Sequence, residues 1–255
     1  MKILQKLALV GASVISMGSM AADFSFDRPG EGFGTSITPV GQLAWEQALP
    51  SATYKEETVD GAKKKTVTLG GDMLFRTGLT KSLELQLGWD GPMWSQTKYK
   101  GRSHDDDGLG DVSIGLKHAI DLKDDKLSMA VLARAKIATG NDGFSEHDDI
   151  YTLGSSLNYK YNDLLNTGMT MYYSMQNSNV SVTAIPNISY KVAGNLSGFS
   201  EFVYHKEESQ RNEYGVNTGL IYALNNRIQL DGSVGVDFQS EDKNYRAGLG
   251  VSFLF

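Results

Sequence analysis

From Thr38 to Phe255 the chain consists of segments of about ten residues in which every second residue is apolar. In the stretch 83–90, for example, leucine or tryptophan alternates with glutamate, glutamine, glycine and aspartate. Successive side chains of a β-strand point to opposite faces, so this period of two predicts strands with one apolar and one polar face. Twelve such segments follow one another along the sequence.

Two architectures use strands of this kind. A soluble sandwich or lipocalin-like barrel turns its apolar faces inward, whereas an outer-membrane barrel turns them to lipid. Membrane strands need about 9 to 11 residues, and bacterial barrels have an even strand number. Aromatic residues at both ends of the apolar faces fit two girdles, with Trp45 and Trp89 expected at the outer edge and Phe75 and Phe253 at the inner edge. We therefore predict an all-β, transmembrane antiparallel up-and-down β-barrel of about 12 strands over residues 38–255.

Connections between the segments alternate in length through the first half of the chain. Long connections are expected at 49–64, 91–109 and 138–149, and short ones at 77–82, 121–126 and 161–164. Short periplasmic turns and longer external loops are typical of outer-membrane barrels. This pattern places both termini in the periplasm. Pro186 cannot donate a ladder hydrogen bond, so a bulge or local break is expected there.

The N-terminus has the pattern of an export signal. Residues 1–22 contain two lysines, a short apolar run and small residues before Asp23, which predicts a secretory signal peptide. The run is too short for a membrane-spanning helix. Residues 23–37, rich in glycine, serine and threonine, allow two interpretations, a plug inside the barrel or a flexible periplasmic lead-in. Export of a barrel predicts the outer membrane of a Gram-negative-type envelope.

Composition excludes several kinds of site. The net charge of −6 argues against nucleic-acid binding, and the lack of cysteine excludes a thiolate zinc site or a cysteine nucleophile. Acidic clusters at 104–108 and 146–149 fall in the predicted loops and are either cation sites or, as we expect, solvated loops. The first cluster lacks the glutamate that closes an EF-hand calcium loop. No cofactor or metal is predicted.

The polar faces place charged side chains in the lumen. The predicted pore-lining residues are Glu46, Asp72, Arg76, Glu84, Lys117, Arg134, Lys136, Lys160, Glu201, Asp231, Asp237 and Arg246. Strands four to six provide a basic wall opposite an acidic one. Such charges select solutes by charge, or pair with one another and stabilise a nearly closed lumen, and both interpretations stay open. Arg134 and Glu201 fall near mid-height and are predicted to line a constriction.

A lipid hydrolase on the barrel wall needs a serine beside a histidine. His118 and Ser155 fall on the lipid-facing phase, and we expect them two strands apart and at different heights. The sequence therefore predicts no catalytic residues and no enzyme.

Several short motifs resemble one family. Asp27-Arg28-Pro29-Gly30 and the segment 39–43 resemble the opening of outer-membrane transporters of the phenol-degradation meta-pathway (MetA-pathway) family. The segments 108–117, 229–231 and 247–255, together with Glu201, are similar to further stretches of that family, whose usual Gln-Leu-Glu is here Gln42-Leu43-Ala44 with the acid at Glu46. The resemblance implies passive passage of small, often aromatic or hydrophobic solutes. Phe253 and Phe255 also resemble the C-terminal signal by which outer-membrane barrels are recognised for assembly.

The predicted function is an outer-membrane channel or transporter for passive uptake of small solutes, with aromatic or hydrophobic compounds as candidates. One alternative is a closed structural or interaction barrel that acts through its external loops, and the least favoured is an outer-membrane lipid hydrolase. The predicted partners are outer-membrane lipid and lipopolysaccharide, the barrel-assembly machinery and the small-molecule solute, without nucleic acid.

Overall fold

A computed structural model describes residues 24–238 and 243–255, and the predicted signal peptide (residues 1–22) lies outside the described residues. The described chain is a single sheet of fifteen strands. In chain order they are β1 (Leu43–Val59), β2 (Ala62–Gly70), β3 (Met73–Gly78), β4 (Leu83–Trp89), β5 (Pro92–Tyr99), β6 (Arg102–Leu109), β7 (Val112–Ile120), β8 (Leu127–Ile137), β9 (Ile150–Asn162), β10 (Leu165–Gln176), β11 (Asn179–Ala193), β12 (Leu196–Glu207), β13 (Asn212–Asn225), β14 (Ile228–Phe238) and β15 (Lys243–Leu254). No helix in the described part of the chain is long and apolar enough to cross a membrane.

Antiparallel pairing closes the sheet into a barrel. The first strand, β1, pairs with β3 on one side and with β15 on the other, and the remaining strands follow in chain order. β2, β5 and β6 continue β3, β4 and β7 beyond short breaks, so the fifteen strands make a barrel of twelve. The predicted twelve-stranded antiparallel barrel is confirmed.

The barrel is apolar outside and charged inside. Leu153 and Leu249 face outward and are 64% and 61% exposed, whereas Arg76 and Lys117 face inward and are fully buried. A soluble protein buries its leucines and solvates its charges. The reversed arrangement fits a barrel surrounded by lipid, whose outward side chains replace contact with water by contact with acyl chains.

Two of the expected external loops are strands instead. The segments 49–64 and 91–109 form hairpins that extend β1, β2, β5 and β6 beyond the barrel, with tight turns at 60–61 and 100–101. Ion pairs support this outer extension, such as Lys64 Nζ to Glu57 Oε1 at 3.0 Å. The prediction of loops was wrong because a strand outside the bilayer needs no apolar face, so the alternation ends while the pairing continues. The segment 138–149 contains no strand.

Three neighbouring strands break side by side, each at a glycine–aspartate pair. The breaks are Gly71-Asp72, Asp90-Gly91 and Gly110-Asp111. They lie side by side, because the Gly71 amide donates to the Pro92 carbonyl at 3.0 Å and the Gly110 amide donates to the Gly91 carbonyl at 2.9 Å. This row of breaks separates the barrel from the outer extension and brings three aspartates to the outer rim.

The aromatic girdle differs from the prediction at one position. Trp45 was expected at the outer edge, but its ring lies 6.1 Å from that of Phe75 and 5.7 Å from that of Phe253, both at the inner edge. The reason is that β1 begins at Leu43 and continues far past the outer rim, so its third residue lies near the periplasmic end. Pro186 lies at a local break as expected, since the β11–β12 ladder has no pair at Ile185 or Pro186.

Candidate functional site

Residues 24–38 enter the barrel as a loop, which we call the lumenal loop. Its two legs are held together where the Ser25 amide donates to Ser36 Oγ at 3.0 Å and the Gly34 amide donates to Asp27 Oδ1 at 2.8 Å. The loop ends just before Gly41, whose φ of +81° turns the chain into β1. A glycine there avoids the cost that a Cβ imposes in the left-handed region.

The apex of the lumenal loop reaches opposite walls of the barrel. Arg28 Nη1 lies 3.0 Å from Asp72 Oδ2, and Arg28 Nη2 lies 3.4 Å from Asp231 Oδ1 on β14. The Glu31 amide donates to Glu201 Oε2 on β12 at 2.9 Å. The apex therefore crosses the lumen and is held by charges on both sides.

Arg76 is the centre of a fully buried charge network under this apex. Its Nη1 atom lies 2.8 Å from Glu46 Oε1, and its Nε atom donates to Glu84 Oε1 at 2.9 Å. It also donates to the Ser25 carbonyl of the lumenal loop at 3.1 Å. Buried charges need both opposite charge and hydrogen bonds to offset desolvation, and Arg76 has both.

The second cation of this network, Lys117, joins it to the lumenal loop. Its Nζ atom lies 3.1 Å from Glu84 Oε1 and 3.3 Å from Asp27 Oδ2. The backbone amides of Asp27 and Arg28 donate to the Glu46 carboxylate at 3.1 and 2.7 Å. Two cations thus face three carboxylates, one of which the loop supplies, so the barrel charges and the loop stabilise each other.

Asp111, at the outer rim, holds the segment 138–149 in place. Its carboxylate accepts the amides of Thr139, Gly140 and Glu146 at 2.9, 2.7 and 2.8 Å and the Ser145 hydroxyl at 2.9 Å. Burial alone would raise the pKa of Asp111, but these hydrogen bonds to the ionised form outweigh it and hold the pKa below its usual range.

Three more of the predicted pore-lining cations have an acidic partner. Lys136 Nζ lies 2.9 Å from Asp90 Oδ2 at the rim, and Arg246 pairs with Asp237 Oδ1 at 2.8 Å. Lys160 is on the inward phase, but its side chain is exposed and pairs with Asp163 in the turn after β9, at the end of the barrel. Most inward charges thus have a partner of opposite sign, which favours the paired interpretation of the lumen.

Arg134 and Glu201 lie on opposite sides of the lumenal loop. The guanidinium of Arg134 lies 5.8 Å from the ring centroid of Tyr172. Glu201 contacts the loop at Gly30 and Glu31 and accepts a hydrogen bond from Asn217 at 3.4 Å. That the two residues line a constriction stays a prediction.

Two cavities flank the apex of the lumenal loop. The outer cavity, of about 270 Å³, reaches up to Asp72 and Asp90 at the rim. The inner cavity, of about 160 Å³, lies among Ser156, Asn158 and Ser189 nearer the periplasmic end. Residues 27–30 and 32–33 line both cavities. A solute that moves from one cavity to the other must therefore pass the loop.

Sequence reasoning left open whether residues 23–37 form a plug, and it assigned no lumenal contact to Asp27 or Arg28. The available signal was an adjacent pair of opposite charges inside a segment otherwise rich in small residues. It also did not assign a role to Asp111. Its role depends on the loop 138–149, whose position cannot be predicted from the alternation of apolar and polar residues.

His118 and Ser155 lie two strands apart, as expected. Both are in register with Val131 of β8, which lies between them. Neighbouring strands are about 4.8 Å apart, so the two side chains are separated by roughly 10 Å across Val131. They still form no hydrogen-bonded pair among the described residues.

A closed antiparallel barrel with an apolar outer face and a charged lumen is the architecture of an outer-membrane β-barrel. Residues 26–255 match the family described as "Putative MetA-pathway of phenol degradation", and the chain belongs to that family. No curated protein matches the sequence.

Solved structures with the same fold include an outer membrane channel from Pseudomonas putida F1, with a TM-score of 0.60, 15% identity, and coverage of 89% of this chain and 99% of that one. The translocator domain of the autotransporter NalP from Neisseria meningitidis has a TM-score of 0.55, 11% identity, and coverage of 89% and 90%. The KdgM porin in complex with disordered oligogalacturonate has a TM-score of 0.52, 14% identity, and coverage of 80% and 98%. At such identities the likeness concerns the fold alone.

Fold and family together place the protein in the outer membrane. They do not favour a closed structural barrel or a lipid hydrolase.

Proposed function

We propose that small aromatic or hydrophobic compounds pass through the lumen and that the lumenal loop is the gate they pass. The observation that carries this proposal is the position of residues 27–33, which lie between the two cavities and contact Asp72 on one wall and Glu201 on the wall nearly opposite. Uptake then requires the apex of the loop to move, while its legs remain joined at Ser25 and Ser36.

The nature of the loop contacts supports a movable gate. Polar groups hold the apex, namely the guanidinium of Arg28 and the backbone amides that donate to Glu46 and Glu201. Only Phe33 of the loop belongs to a buried apolar cluster, with Ala130 and Leu132. Water that enters as the apex shifts can hydrogen-bond to the released groups, so these contacts can be exchanged without unpacking an apolar core.

The lining of the lumen supports solutes with an apolar part. Leu132, Ile185 and Phe199 face the lumen and are nearly fully buried. The family description refers to phenol degradation, which agrees with an aromatic solute. Because charged groups surround these apolar side chains, we expect small solutes that combine an apolar ring with a polar group.

A disulfide between the loop and the wall tests the gate. A Cβ built at Gly32 lies 3.3 Å from the Cβ of Thr170 on β10, close to the separation of a natural disulfide. The chain has no cysteine of its own, so the double variant Gly32→Cys, Thr170→Cys contains one defined pair. We expect oxidation to abolish single-channel conductance in planar bilayers and reduction to restore it. The two single variants are the controls, and equal conductance in the oxidised and reduced double variant would contradict a moving gate.

The C-terminus supports a role in assembly. Phe253 stacks on Phe255 with ring centroids 6.0 Å apart, and the amide of Phe255 donates to the Leu43 carbonyl at 2.8 Å, where the barrel closes. We propose that Phe253 and Phe255 are read by the barrel-assembly machinery after removal of the signal peptide, and that lipid and lipopolysaccharide then surround the barrel. Phe255→Ala should lower the folded fraction in membranes, seen by heat modifiability in gels, and leave refolding in detergent unchanged.

We also propose that the protein has no catalytic activity.

A further inference from the structure

Each carboxylate that lines the outer cavity lies within ion-pair distance of a cation. Their pairs are Asp27 with Lys117 at 3.3 Å, Glu31 with Arg246, Glu46 with Arg76 at 2.8 Å, Asp72 with Arg28 at 3.0 Å, and Asp90 with Lys136 at 2.9 Å. Every negative charge that lines this cavity is therefore already engaged in an ion pair within the protein. A cationic solute finds no free carboxylate there.

Arg134 is the exception on the positive side. It lines the same cavity from β8, and its side chain is exposed to it. Within residues 24–238 and 243–255, no carboxylate lies within ion-pair distance of its guanidinium. Its contact is with the face of Tyr172, whose ring centroid lies 5.8 Å away. The planar fork of an arginine matches a carboxylate with two parallel hydrogen bonds, and here that fork faces solvent.

Apolar and aromatic side chains surround this free cation. Phe33 of the lumenal loop and Tyr172 lie with ring centroids 5.7 Å apart, tilted by 41°. Leu74 and Leu132 line the same cavity. Its volume of about 270 Å³ approaches the lower end of the range for small-molecule pockets, roughly 300 Å³. It therefore suits a single ring with a small substituent.

We propose that the outer cavity binds small aromatic carboxylates, with the carboxylate on Arg134 and the ring against Tyr172 and Phe33. This inference rests on the proposed function and names the solute class of that same lumen. It assigns to Arg134 the selection of the anion, because every other cation that contacts the cavity already has a carboxylate partner. The ring contacts then favour an aromatic acid over an aliphatic one of similar size, since offset and edge-to-face ring pairs add about 0.5–1.5 kcal/mol to simple burial.

Calorimetric titration of the refolded full chain in detergent at pH 7.5 tests this site with three probes. They are benzoate, its neutral isostere benzamide, and the non-aromatic acid cyclohexanecarboxylate. We expect benzoate to bind at least tenfold more tightly than benzamide and several-fold more tightly than cyclohexanecarboxylate. Arg134→Gln should remove the preference for benzoate over benzamide, and Arg134→Lys should retain part of it because the charge stays while the fork is lost.

Arg227→Gln is the control, because it removes one positive charge from the exposed β13–β14 turn, away from the cavity. It should keep the benzoate preference. Equal binding of benzoate and benzamide to the wild-type protein, or the same loss of preference in Arg227→Gln as in Arg134→Gln, would overturn the inference. The proposed gate is tested separately by the conductance of the disulfide variant in simple salt, so either proposal can fail while the other stands. Arg134 is exposed, so its variants should fold, which heat modifiability in gels verifies.

Discussion

Arg76 on β3 and Glu84 on β4 are joined by two hydrogen bonds, at 2.9 Å from Nε and 3.2 Å from Nη2, and both side chains are fully buried in the barrel. Glu84 Oε2 also accepts the amide of Thr38 at 2.6 Å and its hydroxyl at 2.7 Å. One ion pair between neighbouring strands therefore also fixes the end of the lumenal loop. Arg76 and Glu84 therefore contribute both to the stability of the barrel wall and to the position of the loop that occupies the lumen.

Replacing Arg76 by methionine should be among the most destabilising single changes in the lumen. It leaves Glu46, Glu84 and Asp27 buried with Lys117 as their remaining cation, and removing one partner of a buried pair costs about 3–5 kcal/mol. We expect the urea midpoint of unfolding in detergent to fall markedly. Lys81→Met, an exposed lysine in the β3–β4 turn, is the control and should change little. Similar midpoints for the two variants would show that the network contributes nothing to stability.

Replacing Arg28 by alanine should open the channel without unfolding it. The change removes both ion pairs that hold the apex, to Asp72 and to Asp231. A loss of about 1–2 kcal/mol from the closed state corresponds to a five- to thirtyfold shift in the closed–open equilibrium. Open probability in single-channel recordings should rise accordingly, whereas Arg227→Ala in the exposed β13–β14 turn should leave it unchanged. An unchanged open probability in Arg28→Ala would show that the contacts of Arg28 at the apex do not hold the channel closed.

Some features of this molecule can be predicted from its sequence and others cannot, and the physical cause of each feature decides which. Strands in lipid must alternate, so the barrel and the inward positions of Arg76, Glu84 and Lys117 could be read from period two alone. The outer extension has no lipid on either side, so Lys64 and Glu57 pair without leaving an apolar pattern. The contact of Arg28 with Asp231 joins residues 203 positions apart and depends on the loop folding into the barrel, which no local pattern specifies.

Asp111→Asn should release the segment 138–149 at neutral pH. The depressed pKa of Asp111 means that its anchoring of this segment is fully present above the ordinary aspartate pKa of about 3.9 and is lost only as the pH falls through the lower folded value. Amide exchange protection at Gly140 and Glu146 should thus be retained by the wild-type protein at pH 7 and pH 5 and decline below pH 4. In Asp111→Asn it should fall about tenfold or more at pH 7, because hydrogen bonds to a charged group contribute about 1.5–3 kcal/mol. Asp142→Asn, exposed in the same segment, should retain protection, and equal loss in both variants would refute the anchoring role.

Gly91→Ala should destabilise the outer extension more than Gly61→Ala, although both glycines have the same backbone conformation. Their φ angles are +78° and +71°, so each alanine incurs the left-handed penalty of about 1–2 kcal/mol. A Cβ at Gly61 meets nothing within 4 Å, whereas a Cβ at Gly91 would overlap the carbonyl oxygen of Gly71 in the neighbouring break. The added clash should cost a further ~1–3 kcal/mol, as overpacking does elsewhere. Limited proteolysis of the extension, followed by mass spectrometry, should show faster cleavage in Gly91→Ala than in Gly61→Ala. Equal cleavage rates would mean that the row of breaks can deform without an energetic penalty. The close approach of Gly71 to Gly91 would then not be what holds the extension on the barrel.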